Sequence, residues 1–535
     1  AAVGLSGLVG ILFAGHWLSS FQVKAATWMF HLTQRESWAM AARFVVAAGW
    51  IVLVPTFLLG AAFPAALRLT AEPASSGRDT GRVLALNTLG GIAGTLLAGF
   101  VLVPRLGLER SLALMSAVAA TVGIVAVVKG TSVSRRLRWA TFACGSLAVA
   151  MGISLGPDHL ARLLAEARHG RLLFHEASAA GTVAVIEQGS GRNRFRRLYI
   201  QGVSNSGDSM TSLRYMRLQA LLPLIIHRGT PRDVLVIGLG TGITTGSLLR
   251  YPGLERRVCA ELLPAVVRGA ALFEGNDGVA TDPRVDVRLR DGRRELLRSN
   301  DSYDLITLEP PPPSAAGVVN LYSTDFYRLA ATRLHTNGLV AQWLPLPTQT
   351  DSDTRSLVRS FLDVFPYATL WTTELHEMLL VGSLDPIELD AARIAARFNQ
   401  PEVAAALREV GIASPAALLA TWITDRAGLE RYAASAQPTT DNRPRIEYGA
   451  WVMPGEFIST LQALNDLRTT PPLVNADAIS EREISTEHQK LIAFYEAGIY
   501  AYQRDRLRWQ ETMRWLLTQD PENPYYLWFI GASDA

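Results

Sequence analysis

The first 155 residues limit the fold most strongly. They are rich in Ala, Leu, Val and Gly and poor in charge, whereas residues 156–535 carry Arg, Asp and Glu at the density of an ordinary soluble protein. Apolar stretches run over about 3–19, 40–62, 83–103, 109–128 and 138–155. Each is close to the roughly 20 residues of helix that cross a bilayer, and a backbone in lipid must satisfy its own hydrogen bonds, so about five transmembrane helices are expected. The first stretch is the weakest, being short and carrying His16. Trp17, Trp38, Trp50 and Trp139 lie near stretch ends, where amphipathic rings favour the interface. The sequence opens on Ala1 in an apolar run without a charged start or cleavage signal, and it reads as beginning part-way through a longer membrane protein.

The third stretch repeats small residues (Gly90, Gly91, Ala93, Gly94, Ala98, Gly99) at three- and four-residue spacing, which predicts a seam where helices pack closely. No Asp, Glu, Lys or Arg lies deep in the last three stretches, so this half reads as an anchor or assembly platform rather than an ion carrier. Lys and Arg balance seven against seven across the two sides, and the positive-inside rule gives no orientation. An integral protein of a bacterial inner membrane is expected, with the bilayer as its first partner. A net charge of +3 over 535 residues gives no reason to expect nucleic acid. Cys144 and Cys259 have neither CxxC spacing nor metal-like neighbours, so no metal site or disulfide framework is expected.

In the soluble half, two β-like runs at 182–186 and 197–200 precede a helix at about 211–226. Strands and helices then alternate, the signature of a parallel sheet and an α/β Rossmann-like fold. The apolar strand 234–237 runs straight into Gly238, Gly240 and Gly242, and a helix begins at Thr244. A turn without Cβ atoms lets the backbone approach a ligand, with helix N-terminal amides facing it. The next strand ends at Glu261, about 20 residues on, where an acid commonly holds ribose hydroxyls. A third strand, 285–289, leads to Asp291 and Gly292, and a fourth, 303–308, to Glu309. Three acids at consecutive strand ends, together with the glycines, point to a nucleoside site.

At these residues the chain resembles the spermidine synthase family, within the wider Rossmann-like methyltransferase group, and most of all its membrane-fused branch. The matching segments are 234–242, Glu261, 282–284, 291–293, 303–310, 317–327, 342–344 and 440–444, with 86–107 similar to the last membrane segments of that branch. The resemblance implies a site for S-adenosylmethionine or its decarboxylated form as substrate. Gly238, Gly240, Gly242 and Gly292 would line it, Glu261 would bind ribose and Asp291 adenine. Glu309 would stand in the place of the catalytic acid that takes a proton from the attacking amine. The chain also departs from the family. An Asp-Ser-Ser-Asp-Pro-like run is replaced by Glu309 and prolines 310–313, so a second acid is missing. A Tyr-His-Glu-like run is replaced by Tyr215, Met216 and Arg217, and Arg217 would meet a cationic polyamine with the wrong sign. Leu263 stands where an acid is usual.

Residues 384–435 are Ala-rich and helical in pattern, and residues 451–480 read as a linker. Helices at 486–503 and 507–518, closed by residues 520–524, resemble one tetratricopeptide-type repeat, which cannot bury its own face alone. That repeat is expected to dock on the chain, pair with another copy, or meet a partner through its aromatic end. The expected organisation is a transmembrane bundle (1–155), a β-rich lead-in (156–230), a Rossmann-like nucleoside-binding domain with a helical extension (231–450), the linker, and the repeat (481–535). Three functions fit in decreasing order: a membrane-anchored transferase of aminopropyl or another group, a non-catalytic scaffold subunit of a membrane complex, and a transporter.

Overall fold

The computed structural model describes residues 1–70, 76–130, 133–178, 180–448, 452 and 455–533. The chain divides into two compact units, residues 1–186 with 200–203, and residues 187–199 with 204–535.

The first unit begins as a run of helices: Ala2–Leu12, His16–Thr33, Glu36–Ala48, Val54–Thr70, Ser76–Leu97, Val103–Lys129 and Arg135–Ser154. Ser37–Leu69, Gly77–Lys129 and Arg135–Ser154 are long and apolar enough to cross a membrane, and Ala2–Leu12 with Trp17–Thr33 forms a fourth candidate bent by 82°. The expected single span at 3–19 is therefore corrected. Its helix stops at Leu12, Gly15 is fully extended, and a new helix starts at His16. The stretches 83–103 and 109–128 lie in one long helical run that breaks at Gly107, whose φ of 80° a residue with a Cβ adopts only under strain. The small-residue seam is also corrected. A Cβ on Gly90, Gly91, Gly94 or Gly99 would meet nothing within 4 Å. Close approach occurs elsewhere, where a Cβ on Gly4 would sit 2.7 Å from the Ser116 carbonyl oxygen and one on Gly152 would lie 3.3 Å from Ala113 Cβ. Leu8, Ala120 and Ala148 are buried there, while Phe57, Leu86 and Phe100 stay exposed, an apolar outer surface suited to lipid.

Strands Arg171–Ser178, Gly181–Gln188, Phe195–Ile200 and Val203–Gly207 follow the helices; the first and last of them were not expected beside the two that were.

The second unit is built on an eight-stranded sheet. Its strands are β1 (Asp233–Ile237), β2 (Arg256–Glu261), β3 (Val285–Leu289), β4 (Tyr303–Leu308), β5 (Leu334–Pro345), β6 (Tyr367–Glu374), β7 (Glu377–Ser383) and β8 (Trp422–Asp425). Their order is β8-β6-β7-β5-β4-β1-β2-β3. Strands β1 to β5 pair in parallel, as fully apolar runs such as Val234, Leu235, Val236 and Ile237 require when both faces are covered. The hairpin of β6 and β7 adds to β5 antiparallel. The order reverses at β1, which has β2 on one side and β4 on the other, so a crevice opens beyond the carboxyl ends of β1 and β4. Helix Met210–Ile226 is almost wholly buried, and its Tyr215 and Met216 pack with Ile243 and Trp343.

Two expectations for the C-terminal part change. The stretch 384–435 is not helical throughout, because Trp422–Asp425 pairs with β6 as an edge strand and buries Trp422 against Trp371. The expected linker 451–480, where described, carries helix Phe457–Asn465, with Phe457, Leu461 and Leu464 in the core; residues 451, 453 and 454 lie outside the described residues. Helices Glu481–Gln503, Arg506–Gln519 and Pro524–Ser533 follow and pack on the same unit through Leu491, Phe494, Tyr495, Leu516 and Tyr525.

The glycine turn is held by close contact. A Cβ on Gly246 would lie 2.1 Å from the Asn276 backbone oxygen. Asn276 in turn donates to the carbonyls of Thr241 (2.9 Å) and Ala270 (2.8 Å). Gly246→Ala is expected to destabilise the protein by about 1–3 kcal/mol through overpacking, read as a lower melting temperature; an unchanged melting temperature would show that the Asn276 loop yields freely.

Candidate functional site

The pairing of Ile237 with Leu308 sets Gly238 and Glu309 side by side at the crevice. A Cβ on Gly238 would lie 3.3 Å from the Glu309 carbonyl oxygen, and Gly238, Gly240 and Gly242 all have positive φ (92°, 54° and 83°). The three sequence-predicted glycines are thus one turn, and each uses a conformation that side chains disfavour.

Glu261 leaves the end of β2 and is buried. Its Oε2 accepts from the Leu239 amide and its Oε1 from the Leu263 amide, both at 2.8 Å. Burial pushes its pKa up, and the surrounding backbone amides, Gly240 and Leu262 included, pull it back. Glu261 therefore also pins the glycine turn. Asp291 caps helix Gly292–Arg298 by accepting from the Arg294 amide at 2.8 Å. Gly292 is fixed by packing, since a Cβ there would meet Ile237 Cγ2 at 2.1 Å. Asp291 and Gly292 thus follow β3 at the same sheet end as the glycine turn.

Glu309 has a different environment. Tyr215 donates its hydroxyl to Oε1 at 2.6 Å, and Thr244 donates to Oε2 at 3.1 Å. Desolvation raises its pKa to about 7, and the two hydroxyl donors only partly oppose that. The next four residues are prolines, which have no amide hydrogen to give. A carboxyl at a strand end commonly collects backbone amides, as Glu261 does; here prolines 310–313 remove that source. The sign for stability follows: folding raises this acid, so the native state holds a proton the unfolded chain has lost. Glu309 thus costs nothing below about pH 4.5 and destabilises the fold increasingly as pH rises toward 7.

Residues that the sequence did not single out complete the crevice. Trp343 stacks on Tyr215 with ring centroids 6.2 Å apart. Glu377, at the start of β7, is driven well above the usual carboxylate range by burial and by the charges of Glu374 and Glu309. Tyr322 is buried and feels both Glu377 and Glu309. Tyr322 Oη is buried without a hydrogen-bond partner, while the Trp343 indole N–H acts on the Glu377 carboxyl and opposes part of its upward shift. A buried hydroxyl is costly to leave unpaired, and one that feels two carboxyls marks a place where a polar ligand would be held. Tyr322 and Trp343 lie inside motifs that the sequence flagged, but Glu377 gave no local signal, since only the β6–β7 hairpin brings it to Glu309.

Arg217 corrects an expectation. Its guanidinium does not meet a bound cation; it is buried, donates to the Ala406 carbonyl at 2.8 Å and pairs with Glu409 at 2.6 Å. The sign reversal read from the sequence is neutralised inside the fold. The motif around Asp441 is structural: its carboxylate accepts from Arg293 (2.9 Å) and Ser323 (2.7 Å), tying together three segments that the sequence flagged separately.

Residues 213–379 match the spermine/spermidine synthase domain. This part of the chain is a spermidine synthase-type, Rossmann-like domain. The chain is similar to the polyamine aminopropyltransferase of Nitrosomonas europaea, 35% identical over 201 residues that cover 34% of this chain and 57% of that protein. It is 30% identical to the polyamine aminopropyltransferase of Mycobacterium tuberculosis over 305 residues, 53% of this chain and 55% of that protein. The chain spans about half the length of the curated relatives it matches. Among solved structures, the spermidine synthase of Thermotoga maritima is similar at 16% identity and a TM-score of 0.36, covering 55% of this chain and 88% of that one. An apolar helical region precedes the synthase-type domain.

Removing a donor from Glu309 should raise its pKa further. Tyr215→Phe is expected to move the carboxyl titration above 7, followed by difference infrared spectroscopy with Glu309→Gln to assign the band. A band that stays in place would mean that Tyr215 does not act on Glu309.

Proposed function

We propose that the synthase-type domain transfers an aminopropyl group from decarboxylated S-adenosylmethionine to an amine, and that the N-terminal helices hold it at a bilayer. The observation that carries the reading is Glu309: a carboxyl with a pKa of about 7, at the switch point of the sheet, beside the glycine turn. An ammonium has no free lone pair, so an acceptor amine must lose a proton before or as it attacks, and a base matched to neutral pH is suited to that task. In the step itself the amine nitrogen forms a bond to the aminopropyl carbon next to sulfur. The carbon–sulfur bond breaks, its electron pair goes to the sulfonium, and Glu309 takes the amine proton.

The nucleoside end is assigned to Gly238, Gly240, Gly242, Glu261, Asp291 and Gly292. The acceptor end falls to Glu309, Tyr215, Tyr322, Trp343 and Glu377. Glu377 supplies a second carboxyl from another strand, in place of the acid missing after Glu309. The names of the aminopropyltransferase relatives support the same chemistry. The proline run, which at first reads as decay, leaves Glu309 short of amide donors and keeps it basic enough to accept a proton.

A non-catalytic scaffold is the second reading, favoured by Leu263 where an acid is usual and by the altered strand-end run. Turnover separates the two. The full-length chain in detergent should convert decarboxylated S-adenosylmethionine and a polyamine, with an acid limb near pH 7 in kcat. Glu309→Gln should lower kcat by about 10²–10⁴-fold and leave donor affinity within about twofold. A folded wild-type chain with no turnover on a panel of di- and polyamines would favour the scaffold, and unchanged turnover in Glu309→Gln would remove that residue from the mechanism.

A further inference from the structure

The turn between β6 and β7, residues 374–377, joins the acceptor end of the crevice to the three C-terminal helices. On one side it ends in Glu377, which feels the charge of Glu309. On the other, every residue before Glu377 is gripped. Glu374 is buried; its Oε1 accepts from the Tyr525 hydroxyl at 2.7 Å, and its Oε2 accepts from the His376 amide (3.0 Å) and sits 2.9 Å from His376 Nδ1. His376 Nε2 lies 2.7 Å from the Tyr502 hydroxyl. Leu375 fits over Gly498 so closely that a Cβ there would meet Leu375 Cδ2 at 2.6 Å. One residue before the turn, Thr373 gives its carbonyl to Arg214 Nε at 3.1 Å, and Thr372 Oγ1 lies 2.7 Å from the Tyr495 hydroxyl.

Arg214 makes the second connection. Its guanidinium stacks over the Tyr525 ring, 4.5 Å from the centroid, and also donates to the Val410 carbonyl at 2.6 Å. Its neighbour along the helix is Tyr215, which donates to Glu309. Tyr525 thus touches both arms of the acceptor end, one through Glu374 and the other through Arg214. The carboxylate that Tyr525 and His376 share is kept ionised, its pKa lowered to about 2.

We infer that the helices Glu481–Gln503, Arg506–Gln519 and Pro524–Ser533 set the geometry of the acceptor end, with Tyr525 and Tyr502 as positioning residues that hold Glu377 and Tyr215 against Glu309. The inference rests on the transferase reading above. It gives the C-terminal helices a task inside this chain. Groups that recognise an acceptor must be held within a fraction of an ångström to be effective, and a hairpin turn at a sheet end is a mobile place to mount one unless something braces it. Glu261 and Asp291, at the ends of β2 and β3, take part in none of these hydrogen bonds, and the glycine turn meets the braced helix at Met216, whose sulfur accepts from Thr241 at 3.3 Å, so the donor end depends on the brace less than the acceptor end does.

The test uses the full-length chain in detergent and the variants Tyr502→Phe, Tyr525→Phe and both together, which keep the rings and remove only hydroxyls. In the double variant the KM for the acceptor amine should rise at least about fivefold and kcat/KM for it should fall about tenfold, with the KM for decarboxylated S-adenosylmethionine within about twofold of wild type. Gly498→Val, which pushes Leu375 from its seat, should give the same split. Acceptor KM unchanged within about twofold, or both KM values rising together, would overturn the inference. Amide hydrogen exchange is measured on the same proteins: residues 374–377 and 213–217 should exchange at least about tenfold faster in the double variant, with 256–261 and 285–289 unchanged. If the wild-type chain transfers nothing, the transferase reading fails and exchange alone decides; unchanged rates at both segments would then overturn the brace, and selective acceleration would support it.

Discussion

Parallel pairing of β1 with β4, against β2 on the other side of β1, places every group in the site. It makes the chain leave β1 and β4 toward opposite helical layers and opens a crevice between their ends. Gly238 and Glu309 face each other across it because Ile237 pairs with Leu308. The buried contacts around this point keep the register. Gly246 admits the Asn276 backbone, and Gly292 admits Ile237. A one-residue slip would send Ile237 and Leu308 to the wrong faces and carry Glu309 away from Tyr215.

Two acids in this crevice show how one kind of side chain is tuned for two tasks. Glu261 is surrounded by backbone amides and serves as a fixed acceptor that also shapes the glycine turn. Glu309 accepts from two hydroxyls, the prolines that follow it offer no amide, and burial then holds its pKa at about 7. The difference comes from the amides within reach: Leu239, Gly240, Leu262 and Leu263 offer theirs to Glu261, whereas prolines follow Glu309. It makes the proline run a determinant of proton affinity as well as of backbone stiffness.

Much of this was legible in the sequence where the signal was local. The strand, glycine turn and helix over 234–250 announced themselves through apolar run, glycine spacing and periodicity, and strand-end acids followed from counting residues. Features set by long-range contact were not legible. Arg217 read as a charge facing a ligand because its partner, Glu409, lies far away in the sequence on another helix. Glu377 was invisible because the hairpin that delivers it adds to the sheet antiparallel, 68 residues after Glu309. The small-residue stripe at 86–99 predicted close packing, but small side chains permit contact without choosing a partner, and within this chain Gly4 and Gly152 take that role. The C-terminal helices were recognisable as helices, while their seat on the β6–β7 turn depends on hydroxyls of Tyr502 and Tyr525 whose targets no local pattern names.

The central claim is that the crevice between β1 and β4 binds an adenosyl sulfonium. Isothermal titration of the full-length chain in detergent with decarboxylated S-adenosylmethionine tests it most directly. Saturable binding at one site per chain, displaced by the thioether product, is the expected result. A folded chain that gives no binding heat, and no displacement of a fluorescent adenosyl analogue, would contradict it.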